Sequence, residues 1–383
     1  MSAVLFVSNG HGEAAIAERI GAELRAAARG PLALEHLPLV GEGAGGEVLR
    51  PVGPRRDLPS GGLVAMGNVR NFARDLRAGF ALLLAAQIGF LRAGRTRYAC
   101  TVAVGDVYAL LLALLSGVRT VFVGTAKSVY VAPYGAFERR VLRRAARIFV
   151  RDRATAERLR AQGVPAEAPG NVIVDLLRDD RVPPPGAWLG VLPGSRPAAY
   201  RDGVRLASVV RALGSRRPPP VEALFSVAPT LDAERFARAL AADGWSVEPG
   251  ADAFEARAPG AHLVAWNGPL GGLLRRSRLV LGQAGTANEQ AAACGVPVAA
   301  LESGGRMDWY RMRQRGLLGE ALALVPSDPE AGAAALAELL ADEPRLARMA
   351  AAGRERMGEP GGAAAIARAI LELADPEPVE GPA

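Results

Sequence analysis

Ala3-Val4-Leu5-Phe6-Val7, followed by Ser8-Asn9-Gly10-His11-Gly12-Glu13 and then Ala14 to Ala28, is the stretch from which the fold is read. A short apolar run suited to a buried strand enters a glycine turn, and the turn opens an amphipathic helical pattern. The same grammar recurs. Apolar runs at 62–66, 101–104, 120–123 and 146–150 are each followed by a turn and a helical stretch, the last of them 154–162. Strands alternating with helices predict a mainly parallel sheet covered on both faces. Arg181-Val182-Pro183-Pro184-Pro185-Gly186 then stiffens and interrupts the chain, and a domain boundary is expected there.

A second α/β series follows that break. Strands are expected at 188–192, 222–227, 262–266, 279–281, 297–300 and 323–325, with helices at 231–242, 270–276 and 287–294. The stretch 330–374 reads as helices broken at Gly353, Pro360 and Gly361, and the last ten residues as a flexible tail. The predicted fold class is therefore α/β, with two Rossmann-like doubly wound domains whose strand C-termini face a shared cleft. Ligands of open α/β sheets lie outside those carboxyl ends.

Composition narrows the function classes. The 383 residues carry 46 basic and 39 acidic side chains, a net charge of +7, but Lys127 is the single lysine. An arginine bias this complete has the look of a GC-rich coding bias, so arginine content by itself is no signal for nucleic acid or phosphate. A hydrophobic share of 50% with 22% charged residues is globular and not disordered. Cys100 and Cys294, far apart in apolar stretches, build neither a disulfide framework nor a zinc site, and three histidines form no metal cluster. No metal is expected. The apolar stretches 78–91 and 107–118 fall short of the ~20 residues that span a bilayer, and no basic-flanked signal peptide opens the chain. A cytoplasmic protein is expected, with possible peripheral contact at the inner face of the membrane.

Five sequence features carry candidate chemistry. Trp188 to Pro197 takes a strand into Pro193-Gly194-Ser195-Arg196, where backbone N–H groups, a hydroxyl and a guanidinium suit an oxyanion; an ordinary βα turn would look the same. Gly285-Thr286-Ala287-Asn288-Glu289-Gln290 opens a later helix. Its first N–H groups suit phosphate, and a carboxylate or amide on its first turn suits ribose hydroxyls. Thr286 and Glu289 equally match a capping box, with Thr286 as N-cap. In the first loop His11 could act as a general base or bind phosphate, although Gly10-x-Gly12-x-x-Ala15 lacks the third glycine of a dinucleotide fingerprint. Gly105-Asp106 sets one acid at the mouth of an apolar strand, as a base or as a helix N-cap. Arg74, Arg77, Arg92, Arg95 and Arg97 bracket the apolar helix 79–91, either a membrane contact or a core helix with basic ends. None of this shows the aromatic interleaving of a nucleic-acid groove, so no nucleic-acid partner is expected.

Taken in order, these motifs resemble lipid-A-disaccharide synthase and its relatives, two-domain GT-B glycosyltransferases. Besides the first loop, Gly105-Asp106, the Pro-Gly-Ser-Arg turn and Gly285 to Gln290, the likeness includes Tyr130-Val131-Ala132-Pro133-Tyr134, Gly163-Val164-Pro165, Pro169 to Asp175 and Gly295-Val296-Pro297. It implies an acceptor-binding domain at 1–182, a UDP-sugar-binding domain at 187–358, and a C-terminal helix and flexible tail at 359–383. It implies transfer with inversion from a UDP-sugar to a lipid or lipid-phosphate acceptor, with neither metal nor other cofactor. Gly194, Ser195, Arg196, Gly285 and Thr286 would hold the pyrophosphate, with Glu289 or Gln290 on the ribose and Asn288 also on the donor side. Asp106 would be the catalytic base, with His11 and Glu13 beside it, and Asn9, Gly10, Gly12, Lys127 and Asn171 would line the acceptor side. The chain departs from the family where the synthases carry Gly-Glu-x-Ser-Gly-Asp: Asn9, His11 and Glu13 replace the glutamate, serine and aspartate. The family's Gly-His is Gly170-Asn171 here, and its Thr-Leu-Glu is Asn288-Glu289-Gln290. Two alternatives share the architecture, a UDP-N-acetylglucosamine 2-epimerase-like isomerase and a non-catalytic sugar-nucleotide-binding relative.

Overall fold

The computed structural model describes residues 3–41, 46–57, 76–177, 180–216, 220–302 and 306–374. The strand expected at 62–66, Arg74 and the terminal tail lie outside these residues. The chain divides into two compact units, 1–176 together with 359–383, and 177–358. The sequence placed the break at 181–186; the backbone crosses between units a few residues earlier, at Leu176, and returns at Glu359.

The first unit is built on a parallel sheet of β1 (Ala3–Ser8), β2 (Ala33–Pro38), β3 (Arg50–Pro51), β4 (Tyr98–Gly105), β5 (Thr120–Gly124), β6 (Arg147–Val150) and β7 (Ala166–Glu167), in the order β3-β2-β1-β4-β5-β6-β7. Strand alternation explains its two cores. Val4 and Phe6 point to one face and pack with Ile16, Ile20, Ile366 and Ile370. Leu5 and Val7 point to the other and pack with Leu110, Phe122 and Leu142. Helices His11–Ala27 and Gly362–Ala374 therefore cover one face, and Val107–Ala113 and Ala136–Leu142 the other. Burial on both faces is why these strands read as continuous apolar runs.

The returning helix Gly362–Ala374 is captured by Asp175, whose carboxylate oxygens accept from Gly361 N at 2.6 Å and Ala363 N at 2.7 Å. Arg19 Nε, donating to Asp175 O at 2.9 Å, ties the same corner to helix His11–Ala27. The stretch from Pro169 to Asp175 thus closes the first unit around its own C-terminal helix.

The second unit carries β8 (Leu189–Leu192), β9 (Val221–Ser226), β10 (Ser246–Pro249), β11 (Phe254–Ala258), β12 (Ala261–Trp266), β13 (Leu279–Gly282), β14 (Val298–Leu301) and β15 (Leu322–Val325). Their order is β10-β11-β12-β9-β8-β13-β14-β15, with β10 and β11 forming an antiparallel edge. Counting only its parallel strands, this sheet winds as the first does: three strands step outward one way, the chain crosses back, and the rest step outward the other way, three here and four in the first sheet. Both are the doubly wound Rossmann order.

Two local expectations are corrected. The break predicted at Gly353 is absent: helix Glu343–Met357 runs through it. A Cβ at Gly353 would collide with Ala292 O, so glycine lets this helix lie directly on Thr286–Ala293. Thr286 is not the N-cap of its helix; Gly285 is, and no capping box forms. Cys294 is exposed while Cys100 is buried, with its thiol pushed up to about 12 by desolvation.

Candidate functional site

Doubly wound sheets open a crevice where the strand order reverses, outside the carboxyl ends of the two central strands. In the second unit those strands are β8 and β13, paired through Gly282 and Leu192. Leu192 O accepts from both Gln283 N at 2.9 Å and Ala284 N at 3.2 Å, which staples the exit of one strand to the exit of the other. Gly194 then turns at φ +114°, a conformation side chains rarely adopt. It delivers Ser195 and Arg196 to the surface, both exposed, with Thr230 Oγ1 donating to Ser195 O at 3.0 Å.

The turn 282–285 is held from behind by side chains. Asn288 Nδ2 donates to Gly282 O at 3.1 Å, Arg311 Nη2 to Gln283 O at 2.6 Å, and Gln314 Nε2 to Ala284 O at 3.2 Å and Gly285 O at 3.1 Å. Arg311 Nη1 in turn donates to Gln314 Oε1 at 2.6 Å. With four successive carbonyls drawn inward, helix Thr286–Ala293 begins at Gly285 without any side-chain cap, its leading N–H groups and the positive end of its dipole unshielded. Tyr310 closes the corner: its hydroxyl occupies the space that a Cβ on Gly285 would need. Burial first, and then the Glu289 charge, push the Tyr310 pKa up, while Arg196 and Arg311 pull it down. Arg196, Gly285, Glu289 and Tyr310 therefore share one neighbourhood.

The structure separates the residues assigned to this site. Gly194, Ser195, Arg196, Gly285 and Thr286 stand at the two strand exits, with Ser195, Arg196 and Thr286 exposed and Glu289 half-buried. Asn288 is fully buried: its Nδ2 donates to Gly282 O and Gln314 Oε1, while its Oδ1 has no partner among the described residues. Gln290 is buried at 9% exposure. Sequence reasoning missed Gln283, Tyr310, Arg311 and Gln314. The last three lie on Arg306–Leu318, an arginine-rich stretch with nothing in its pattern to mark an inward-facing charge.

In the first unit the order reverses between β1 and β4. Ser8 Oγ and His36 Nε2 share a buried hydrogen bond of 2.8 Å, and desolvation pulls the His36 pKa down to about 4, helped by Arg55. Asn9 is 6% exposed and its Oδ1 has no hydrogen-bond partner among the described residues. A Cβ on Gly105 would collide with Asn9 Oδ1 and approach Glu13 Cγ to 3.3 Å, so the two loops touch at these residues. Asp106 Oδ1 caps helix Val107–Ala113, accepting from Tyr108 N at 2.9 Å and Ala109 N at 3.2 Å. Both readings of Asp106 remain compatible, because Oδ2 takes no part in the cap.

Further buried polar atoms gather along the same edge of the sheet. Tyr108 Oη, Thr125 Oγ1, Tyr134 Oη and Asp152 Oδ2 are buried without a partner among the described residues. Thr125 N donates to Gly105 O at 3.0 Å, and the charges of Asp152 and Asp106 reach Tyr134. Burial and Asp106 push the Tyr108 pKa up to about 12.

The other acceptor-side candidates behave differently from one another. Gly10 and Gly12 flank the N-terminus of helix His11–Ala27, with open space beside Gly12. His11 is the first residue of that helix; its side chain lies outside the described set. Lys127 Nζ pairs with Glu138 Oε2 at 2.7 Å and lies 5.8 Å from the Tyr134 ring centre. Asn171 is buried at 4%: it caps helix Val172–Asp175 through Ile173 N, and its own N–H donates to Glu359 O at 2.8 Å. It secures the chain crossing.

No protein-family model and no curated protein matches the chain in sequence. Solved structures match its fold along nearly its whole length. A protein assigned as a UDP-N-acetylglucosamine 2-epimerase from Listeria monocytogenes aligns over 97% of this chain and 96% of its own, at 15% identity and a TM-score of 0.62. The UDP-GlcNAc 2-epimerase from Neisseria meningitidis bound to UDP-GlcNAc aligns over 97% and 99%, at 14% identity and 0.56. The glycosyltransferase SnogD from Streptomyces nogalater aligns over 98% and 100%, at 17% identity and 0.53. The similarity to these proteins and the two sheet orders together identify the fold as GT-B in type.

Proposed function

We propose that the protein is a UDP-sugar-dependent inverting glycosyltransferase whose acceptor is a lipid or lipid phosphate. The observation that carries this reading is the paired strand exit at β8 and β13. There an exposed arginine, a left-handed glycine turn and an uncapped helix N-terminus converge on one corner. Such a corner suits a diphosphate: backbone N–H groups and the helix dipole meet its oxygens, and Arg196 matches its charge. Glu289, the more exposed of the two first-turn candidates, is assigned to the ribose.

In the reaction the acceptor hydroxyl gives its proton to Asp106 Oδ2 as its oxygen bonds to the anomeric carbon. The bond from that carbon to the diphosphate oxygen breaks on the opposite face, and UDP leaves with the electron pair. Arg196 and the helix N–H groups stabilise the charge that develops on the leaving diphosphate. Asn9, Tyr108, Thr125, Tyr134 and Asp152 offer polar atoms that buried groups normally have satisfied, and a hydroxyl-rich acceptor would satisfy them.

Helix Phe80–Ala93 supports the lipid class of acceptor. Phe80, Leu83, Gln87 and Leu91 are buried, and Gln87 Nε2 donates to Leu39 O at 3.1 Å just beyond β2. Its other side exposes Ala81, Leu82, Ala85, Ala86 and Gly89, with Leu82 77% exposed and Arg92 at the end. An apolar face with a basic end suits an anionic lipid surface. No helix among the described residues is long and apolar enough to cross a membrane.

The second reading, a UDP-sugar 2-epimerase, is favoured by the fold similarity to proteins of that name. UDP-sugars incubated with and without membrane lipid extract distinguish the two. A transferase releases free UDP only with lipid and yields a glycolipid detectable by mass spectrometry. An isomerised UDP-sugar formed without lipid would overturn the transferase reading in favour of the epimerase.

A further inference from the structure

Arg311 is 2% exposed, a depth at which arginine is normally matched by a carboxylate. Among the described residues its hydrogen bonds go to neutral oxygens, Gln283 O and Gln314 Oε1, each at 2.6 Å. Its Nε has no acceptor among the described residues. The carboxylate that acts on it is Asp202, which is itself shared with Arg201 at 2.9 Å and Arg205 at 3.8 Å. The guanidinium thus keeps a largely unmatched charge in a desolvated place, and desolvation pulls its pKa down. The turn it grips leads into helix Thr286–Ala293, whose N-terminus has no side-chain cap. A fixed cation and the positive end of a helix meet at one turn, where the carboxylates at hand are Asp202, shared with two other arginines, and the half-buried Glu289 of the helix's own first turn.

We propose that Arg311 is a positioning residue for the donor diphosphate, locking the turn 283–285 and supplying from behind it positive potential that the bound anion neutralises. This rests on the nucleotide binding to the second unit. A surface arginine such as Arg196 acts through water and is screened by salt; Arg311 acts through packed protein, where screening is weak. The free protein carries the cost of the unmatched charge, and the diphosphate removes it. Arg311 therefore favours ligands by charge, separating nucleoside diphosphate from nucleoside, and does so without needing to touch them.

The test is Arg311→Gln, which keeps a donor for Gln283 O and removes the charge. Arg311→Met serves as a second variant of similar length. Thermal midpoints of the free proteins are measured, with calorimetric affinities for UDP, uridine and inorganic pyrophosphate. The expected result is a midpoint unchanged or raised in Arg311→Gln, UDP binding weakened about tenfold, and uridine binding unchanged. A lowered midpoint with UDP and uridine weakened equally, or UDP affinity unchanged, overturns the proposal. Wild-type protein that binds pyrophosphate in an Arg311-dependent way but gains nothing from the uridine of UDP keeps the anion site and sinks the nucleotide reading. Wild-type protein that binds neither sinks both.

Discussion

The exits of β8 and β13 and the exits of β1 and β4 occupy the same place in two sheets of the same winding, yet they carry opposite chemistry. At β8 and β13 donors predominate, with the N–H groups of a helix without a side-chain cap, Arg196 at the surface and Arg311 beneath, beside the single carboxylate of Glu289. At β1 and β4 the corresponding helix Val107–Ala113 is capped by the carboxylate of Asp106, and the neighbours are Asn9, Glu13 and a row of buried hydroxyls. Topology fixes where a ligand can sit. The capping residue bears on what it can be: a carboxylate fills the N-terminus of Val107–Ala113, whereas glycine leaves that of Thr286–Ala293, like that of His11–Ala27, without a side-chain cap.

The largest effect that could break this contrast is expected at Asp106. Asp106→Asn keeps a good N-cap, so the fold and UDP binding should hold while turnover falls by about a thousandfold. Steady-state kinetics beside UDP calorimetry check it, and turnover within a few-fold of wild type would remove Asp106 from the chemistry. Next comes a pH effect confined to the first unit. His36 is held at a pKa of about 4 in the folded chain, below its ordinary 6.5. The unfolded state binds the extra proton between those values, so stability present above pH 6.5 is lost as pH falls towards 4, by about 3 kcal/mol. Chemical denaturation across that range should show the loss in wild type and not in His36→Gln; identical slopes would show that His36 is not the group responsible.

Arg196→Ala should weaken UDP binding by roughly ten- to a hundredfold with no change in thermal midpoint, since its side chain is exposed. Unchanged UDP affinity would move the diphosphate elsewhere. The smallest effect on stability is expected from Leu82→Glu, within about 0.5 kcal/mol for so exposed a position. That variant should nonetheless lose sedimentation with vesicles of anionic phospholipid. Equal sedimentation of variant and wild type would leave helix Phe80–Ala93 without a lipid role.

Much of the fold was legible in the sequence because buried parallel strands are continuous apolar runs, and β1, β4, β5, β8, β12 and β13 all announce themselves so. β2 did not, because Glu35 and His36 interrupt it. Both are buried, Glu35 held by Tyr98 at 2.7 Å and by Arg50 and Arg97, His36 by Ser8. These pairings come from residues up to 63 positions away, which local patterning cannot see. The edge strands β10 and β11 were missed for a related reason: Glu248, Glu255 and Arg257 are tolerated at the solvent side of an antiparallel edge.

The turns at the strand exits were legible where backbone geometry demands glycine, at Gly194 and Gly105, both with positive φ. The site was illegible where burial decides. Asn288 and Asn171 looked like ligand residues by motif, and in the structure both hold backbone. Arg311 looked like one more arginine in a chain of 45, and the packing of helix Arg306–Leu318 makes it the buried one among the described arginines.

Hydrogen–deuterium exchange of the full chain with and without saturating UDP tests the central contrast most directly. Protection is expected at 192–196 and 283–289, with 8–13 and 105–109 unchanged. Protection confined to 8–13 and 105–109, or none at 283–289, would contradict the assignment of the nucleotide to the open helix of the second unit.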